Sequence, residues 1–248
     1  MAAAFDNSGR AFAAGISSLE SAAWLISGTE RHLVAGVVSV DSVPLTPTAV
    51  KRNGSGGTDL TQNGSPISFN SSSQYRGSIW ELLAPAAASQ TIYASFSGAQ
   101  TEVALVGCSF TGIDQTTPSR TRTTNTANDL TTPATLTVTA ANTQNNDLVT
   151  DFVCAGDTTG GSNPTLTVGG GQTERIKVDN GDLALTSGAM STEPATGASV
   201  VMSWTGSTTS AVISYATFAL PLIPAASVVD SKASRSNFAA QPMIRGPM

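Results

Sequence analysis

Charge is scarce in this chain. Only 12% of its 248 residues are Asp, Glu, Lys or Arg, about half the usual share, so Thr, Ser, Asn, Gln and Gly must form most of the polar surface. There is one histidine, His32, and there are two cysteines, Cys108 and Cys154. A small oxidised domain carries more cysteines, at loop spacings. Both of these lie inside apolar runs, so two buried free thiols are the first reading. A disulfide comes second, and a metal pair third, because His32 is near neither cysteine in sequence. No window approaches the ~20 apolar residues of a membrane span. The start, MAAAFDNSGRAFAAG, lacks the basic region and apolar core of a signal peptide. The expectation is a soluble chain made in the cytoplasm, with no membrane partner. A net charge of −5 also argues against general nucleic-acid binding, which needs a clustered basic footprint.

Amphipathic helical patterns are missing too. Thr and Val suit a pleated surface, while Ser, Asn and Gly punctuate it. Some dozen short strands separated by turn clusters predict an all-β fold, a jelly-roll-like β-sandwich. A repeat supports it. TIYASFSGAQTEVALVGCSF (91–110) lies without gaps on SVVMSWTGSTTSAVISYATF (199–218), matching Phe96 to Trp204 and Phe110 to Phe218. Each copy reads as a hairpin with a Gly-containing turn. Upstream, ERHLVAGVVSV (30–40) resembles NNDLVTDFVCA (145–155), PTAV recurs as PTLTV, and AAWLIS (22–27) resembles ATLTVT (134–139).

The expected organisation is an N-terminal segment over 1–20, a sandwich over 21–224 and an extended C-terminal arm over 225–248. The sandwich has pseudo-repeated halves at about 21–118 and 133–220. One sandwich built from both halves is preferred to two in a row, because one half alone makes a thin core. Ala104, Val106, Cys108 and Phe110 share a face by the period of two and should look inward, with Phe96 and Trp204 beside them. Val103 and Leu105 are apolar as well, so this strand should be covered on both sides. Asp151 is placed outward, which sends Leu148, Phe152 and Cys154 inward.

Chemistry is thin. His32 reads as a strand-end or surface histidine, since no Gly-x-Ser-x-Gly elbow accompanies it. Glu81 and Glu102 are the only carboxylates weighed as a glycosidase pair, and they belong to no recognisable constellation. Asp179, Asn180 and Asp182 could offer oxygens to Ca²⁺, but DNG is first a hairpin turn. NGSGG and VGGGQT lack the Lys and the helix of a phosphate loop. Trp24, Trp80 and Trp204 read as core, and Tyr75, beside NSSSQ, as the best exposed aromatic. No cofactor, no metal and no catalytic residue is expected.

The strings GSIWELLAP, IYASFSGAQTEVALVGCSFTGIDQTTP, GGGQTERI and VVMSWTGS…AVISYATFAL resemble a β-sandwich module of tailed-bacteriophage structural proteins, found also in some bacterial surface proteins. The resemblance spans about 20–220, and the SFTGIDQTTP turn is its most specific part. It implies a non-enzymatic virion protein, first of all a capsid decoration (cement) protein on the major capsid protein. Alternatives are a tail or head fibre component binding host glycan, or a bacterial adhesin or carbohydrate-binding domain, which the missing export signal disfavours. A homo-oligomer, with a trimer at capsid three-fold positions, is part of the same implication. In the arm, Lys232, Arg235 and Arg245 stand against Asp230, and Phe238, Met243 and Ile244 are apolar anchors. These six basic and apolar residues are the expected partner-binding set.

Overall fold

The computed structural model describes residues 1–72, 74–157, 164–179, 181–183, 185–209 and 211–226. The first half contributes β1 (Ala4–Glu20), β2 (Trp24–Leu25), β3 (His32–Val40), β4 (Ala49–Arg52) and β5 (Thr58–Asp59). It continues with β6 (Thr61–Gln62), β7 (Ile67–Phe69), β8 (Tyr75–Leu83), β9 (Ser89–Gln90) and β10 (Ile92–Thr111). The second half contributes β11 (Thr123–Thr131), β12 (Ala134–Ala141), β13 (Leu148–Asp157) and β14 (Thr165–Val168). It ends with β15 (Thr173–Val178), β16 (Thr186–Pro194), β17 (Ser199–Ser207) and β18 (Val212–Leu222). Every strand pairing is antiparallel, and the fold is an all-β sandwich.

Two sheets stand at the centre. β10, β3 and β8 carry the first, with β1 on the outer side of β10; the second runs β11-β18-β13-β16-β15. Their facing sides enclose one core in which Val34, Ala104, Cys108 and Phe110 meet Phe152, Cys154, Met190 and Phe218. Alternation then sends the other residues of the same strands outward. Leu33, Ala35, Val103 and Leu105 pack beneath Trp24, Val50, Ile92 and Phe96. Val153, Ala155 and Ala189 pack beneath Leu136, Leu166 and Trp204 of a third sheet, β12-β17-β14. Both faces of β3 and β13 are thus buried along their whole lengths, which is why these strands read as unbroken apolar runs. The two cysteines are free and buried, one from each half, in the central core.

Five expectations change here. The N-terminal segment does not stand apart: Ala4–Glu20 form β1, laddered along β10 from Thr111 to Tyr93. The two 20-residue copies are not hairpins. β10 runs unbroken through its Gly98, and β17 and β18 lie in different sheets, so each copy is a corner where the chain changes layer. Phe96 and Trp204 are equivalent, but each lies in its half's outer core, behind the face of Phe110 and Phe218.

The upstream alignment slips as well. His32 opposes Phe110 while Phe152 opposes Phe218, so His32 corresponds to Phe152 and Leu33 to Val153, not to Leu148. The counterpart of ATLTVT is the end of β1: Leu136–Trp204 and Thr137–Ser203 repeat the Ser18–Ser95 ladder. AAWLIS has no part in it. Last, Asp151 is fully buried, between the second central sheet and the third, although Leu148, Phe152 and Cys154 do face the central core.

The register correction exposes a reciprocity. Gly36 and Gly156 occupy equivalent positions, opposite Val106 and Ser214. A Cβ on Gly36 would fall 2.3 Å from the Phe152 ring of the other half, and one on Gly156 would fall 2.2 Å from the Tyr75 ring. Each half therefore presents a bare backbone position to an aromatic ring of its partner half. This close approach is what only glycine allows.

Candidate functional site

The charged and polar clusters of this molecule collect where the edges of the two central sheets meet. At one side Glu81 of β8 is the hub. His32 Nε2 stands 2.8 Å from Glu81 Oε2, without the alignment of a full hydrogen bond. Asn63 donates its amide N–H to the same carboxylate, and the Ser119 hydroxyl donates as well. Burial pushes the Glu81 carboxyl up, but these contacts outweigh it and hold the group below its ordinary range. Arg122, from the junction between the halves, donates to the carbonyls of Asn63 and Ser65 and lies 5.2 Å over the Phe218 ring. Nearby, Arg120 makes a two-pronged contact with the buried Asp147, at 2.6 and 3.1 Å.

At the opposite side β1 and β15 do not pair as strands; side chains join them. Ser8 donates to the carbonyl of Arg175 at 3.1 Å. Arg10 donates to the carbonyl of Lys177 and to Asp182 Oδ2, the latter at 2.6 Å. The Arg175 guanidinium lies 4.4 Å over the Phe5 ring. At one end of the strands Glu102 accepts the backbone N–H groups of Leu185 and Thr186 at 2.9 and 3.2 Å. Tyr75 donates its hydroxyl to the Asp157 carbonyl at 2.7 Å and stacks on Phe69 at 5.2 Å.

These positions correct several expectations. His32 is 1% exposed and paired with Glu81, one of the two carboxylates weighed separately from it. Tyr75 is 2% exposed and locks the halves together; its burial holds the phenol strongly protonated. Glu81 and Glu102 cannot act as a pair. Glu102 lies in the cross-strand row of Val40 and Tyr75, and Glu81 is six residues further along β8, about 20 Å away. Of the turn weighed for Ca²⁺, Asp179 meets Lys177 at 3.2 Å and Asp182 meets Arg10; Asn180 lies outside the described residues. Among the described residues no three His, Cys, Asp or Glu side chains converge on a metal position. Burial pushes both cysteine thiols up, so neither is a nucleophile at neutral pH. Lys232, Arg235, Phe238, Met243, Ile244 and Arg245 lie outside the described residues.

The order of groups around Glu81 decides its chemistry. Nucleophilic catalysis sets an imidazole between hydroxyl and carboxylate. Here the carboxylate stands in the middle, taking contacts from both His32 and Ser119, so among the described residues this cluster does not have that order. The arrangement can hold a junction in place. A second buried carboxylate works similarly within the second half. Asp151 Oδ2 accepts the Trp204 indole N–H at 2.7 Å, and Asp151 Oδ1 accepts the backbone and hydroxyl of Ser191 at 2.7 Å each. Burial outweighs these bonds and raises Asp151 to about 6.

Sequence reasoning missed Arg120, Arg122 and the Asp151–Trp204 pair. The two arginines stood in plain view in SRTR, within an otherwise polar junction. No family model, curated protein or solved structure matches the chain.

Proposed function

We propose that this chain is a non-enzymatic structural protein of a bacteriophage virion, a capsid decoration protein that binds the major capsid protein. One observation supports the non-enzymatic part: the ionisable clusters of Glu81, Arg120–Asp147, Arg10–Asp182 and Glu102, from exposed to fully buried, are spent on backbone groups and paired side chains that join elements of the fold. The virion part rests on the resemblance described above, which an all-β sandwich suits. Residues 225–248 are the partner-binding arm in this reading. They hold three basic residues and one acid, so the remaining chain carries nine basic and sixteen acidic residues. An acidic body with a basic, apolar-anchored arm suits docking on neighbouring subunits.

Mass spectrometry of purified particles, counting copies against the major capsid protein, tests this. A high fixed ratio supports decoration, whereas a few copies per particle point to a tail or fibre position. Absence from particles ends the virion reading. Deleting 225–248 should lower incorporation while the sandwich stays folded. Turnover of a polysaccharide, ester or peptide substrate that His32→Ala or Glu81→Gln abolishes would overturn the non-enzymatic assignment.

A further inference from the structure

Asp151, Ser191 and Trp204 share a fourth partner. Asp151 and Ser191 stand directly opposite each other on β13 and β16, and both are fully buried. The turn between β14 and β15 brings the half-buried Gln172 over them from the surface. Its Nε2 donates to Ser191 Oγ at 2.6 Å and to Asp151 Oδ2 at 3.4 Å. Its Oε1 accepts the backbone N–H of Ser203 at 2.5 Å. One end of the carboxamide meets acceptors and the other a backbone donor, which fixes the nitrogen toward Ser191.

These are the parts of an acyl transfer. The Ser191 hydroxyl donates to Asp151 Oδ1 at 2.7 Å, so a carboxylate is placed to take its proton. The remaining lone pairs of Oγ face Gln172, whose Cδ lies one amide bond beyond Nε2 and so within about 4 Å. The Ser203 N–H polarises the carbonyl and is aimed at the oxygen that gains charge on attack. Asp151 Oδ2, oriented by the Trp204 indole N–H, faces the nitrogen that leaves. Burial raises Asp151 to about 6, which suits a group that takes and returns a proton near neutral pH. The first half has no such set: Arg31 stands at the position of Asp151, and Phe96 at that of Trp204.

We propose that Ser191 and Gln172 join in an internal ester that cross-links the β14–β15 turn to β16. Ser191 Oγ bonds to Gln172 Cδ while its proton passes to Asp151. The Cδ–Nε2 bond then breaks, the proton passes from Asp151 to the leaving nitrogen, and ammonia departs. Ammonia is protonated and diluted in neutral water, which draws the exchange toward the ester, and burial keeps water from the product. The step occurs once per chain. It is therefore compatible with a protein that turns over no substrate, and it does not depend on the virion reading.

Mass spectrometry of the full chain, folded and held at neutral pH, tests it. The chain should be lighter than its sequence mass by one ammonia. Trypsin cuts after Arg175 and Lys177, between the two residues, yet the peptides carrying Gln172 and Ser191 should stay joined until mild alkali cleaves the ester. Asn-Gly sites such as Asn53–Gly54 can also lose ammonia, but they cannot join those peptides. Gln172→Glu removes the leaving nitrogen at a half-buried turn position, and Ser191→Ala removes the nucleophile; each should abolish the link. Asp151→Asn keeps the shape without the base and should slow linking at least about 100-fold. Gln144→Glu, at an exposed glutamine between β12 and β13, should link as the wild type does. Circular dichroism and melting should confirm that each variant folds, and if a core variant does not, Gln172→Glu decides. A folded wild-type chain whose two peptides separate, or a link that survives Gln172→Glu, would overturn the proposal.

Discussion

The two halves solve one packing problem with different chemistry. Position 32 of the first half and its equivalent, 152, of the second both face the central core beside a phenylalanine. In the second half the residue is Phe152, stacked on Phe218 at 5.7 Å. In the first it is His32, held to Glu81. The polar solution sits where the junction residues Ser119 and Arg122 arrive, and there a histidine–carboxylate pair gives the chain something to bond. The outer cores differ in the opposite sense: Phe96 is purely apolar, whereas Trp204 is tied to the buried Asp151. A duplicated ladder position thus fixes burial and direction, while the neighbouring segment decides whether a phenylalanine ring or a histidine held to a carboxylate fills it.

Truncating the equivalent aromatics should break the comparison most visibly. Trp204→Ala should cost about 5 kcal/mol, near the top of the range for a buried aromatic, because it also strips Asp151 of a donor. Phe96→Ala leaves only a cavity and should cost about 3 kcal/mol. Equal costs from chemical denaturation would show that the Asp151 bond adds nothing.

Next come the reciprocal glycines. Gly36→Ala and Gly156→Ala should each destabilise by about 3 kcal/mol, since a methyl group at either place overlaps a ring held by the other half. If only one of the two is sensitive, the packing between the halves is not reciprocal.

The buried carboxylates should oppose each other in pH dependence. Asp151 is raised to about 6, so the folded state holds its proton where the unfolded chain has lost it. The stability it lends is complete below the unfolded value and disappears as pH rises through 6, a change of about 2–3 kcal/mol. Glu81 is lowered, so its contribution is present above the unfolded value and is lost as pH falls below the ordinary carboxylate range. Asp151→Asn should flatten the slope between pH 4 and 6 in ~unit pH steps, and Glu81→Gln should blunt the loss in stronger acid. The smallest effect belongs to Tyr75→Phe, which keeps the ring on Gly156 but gives up the bond to Asp157, for about 1 kcal/mol. A cost near zero would mean that the ring alone makes the contact.

Much of the fold was legible. The alternation Ala104, Val106, Cys108, Phe110 gives the central face, and apolar Val103 and Leu105 show a second covered face. That same double burial hid the register: β3 and β13 are apolar on both sides, so a match displaced by an odd number of residues looks as good as the correct one, although it swaps faces. Tyr75 was misread because NSSSQ beside it is turn-like, yet a tyrosine can enter the core from a loop end when its hydroxyl finds a carbonyl. His32 and Glu81 meet only through strand pairing, and nothing in their local sequence announces it. Asp151 looked like a surface marker because a buried carboxylate is the rarer case and its partners, Ser191 and Trp204, lie far along the chain.

The central claim is that the two halves are one structural unit, locked through the facing sheets and the polar contacts at their edges. Native-state hydrogen exchange over a denaturant series measures this directly, residue by residue. The slowest amides of β3 and β10 should open with the same free energy and the same denaturant dependence as those of β13 and β18. Two separate values, one for each half, would contradict the account.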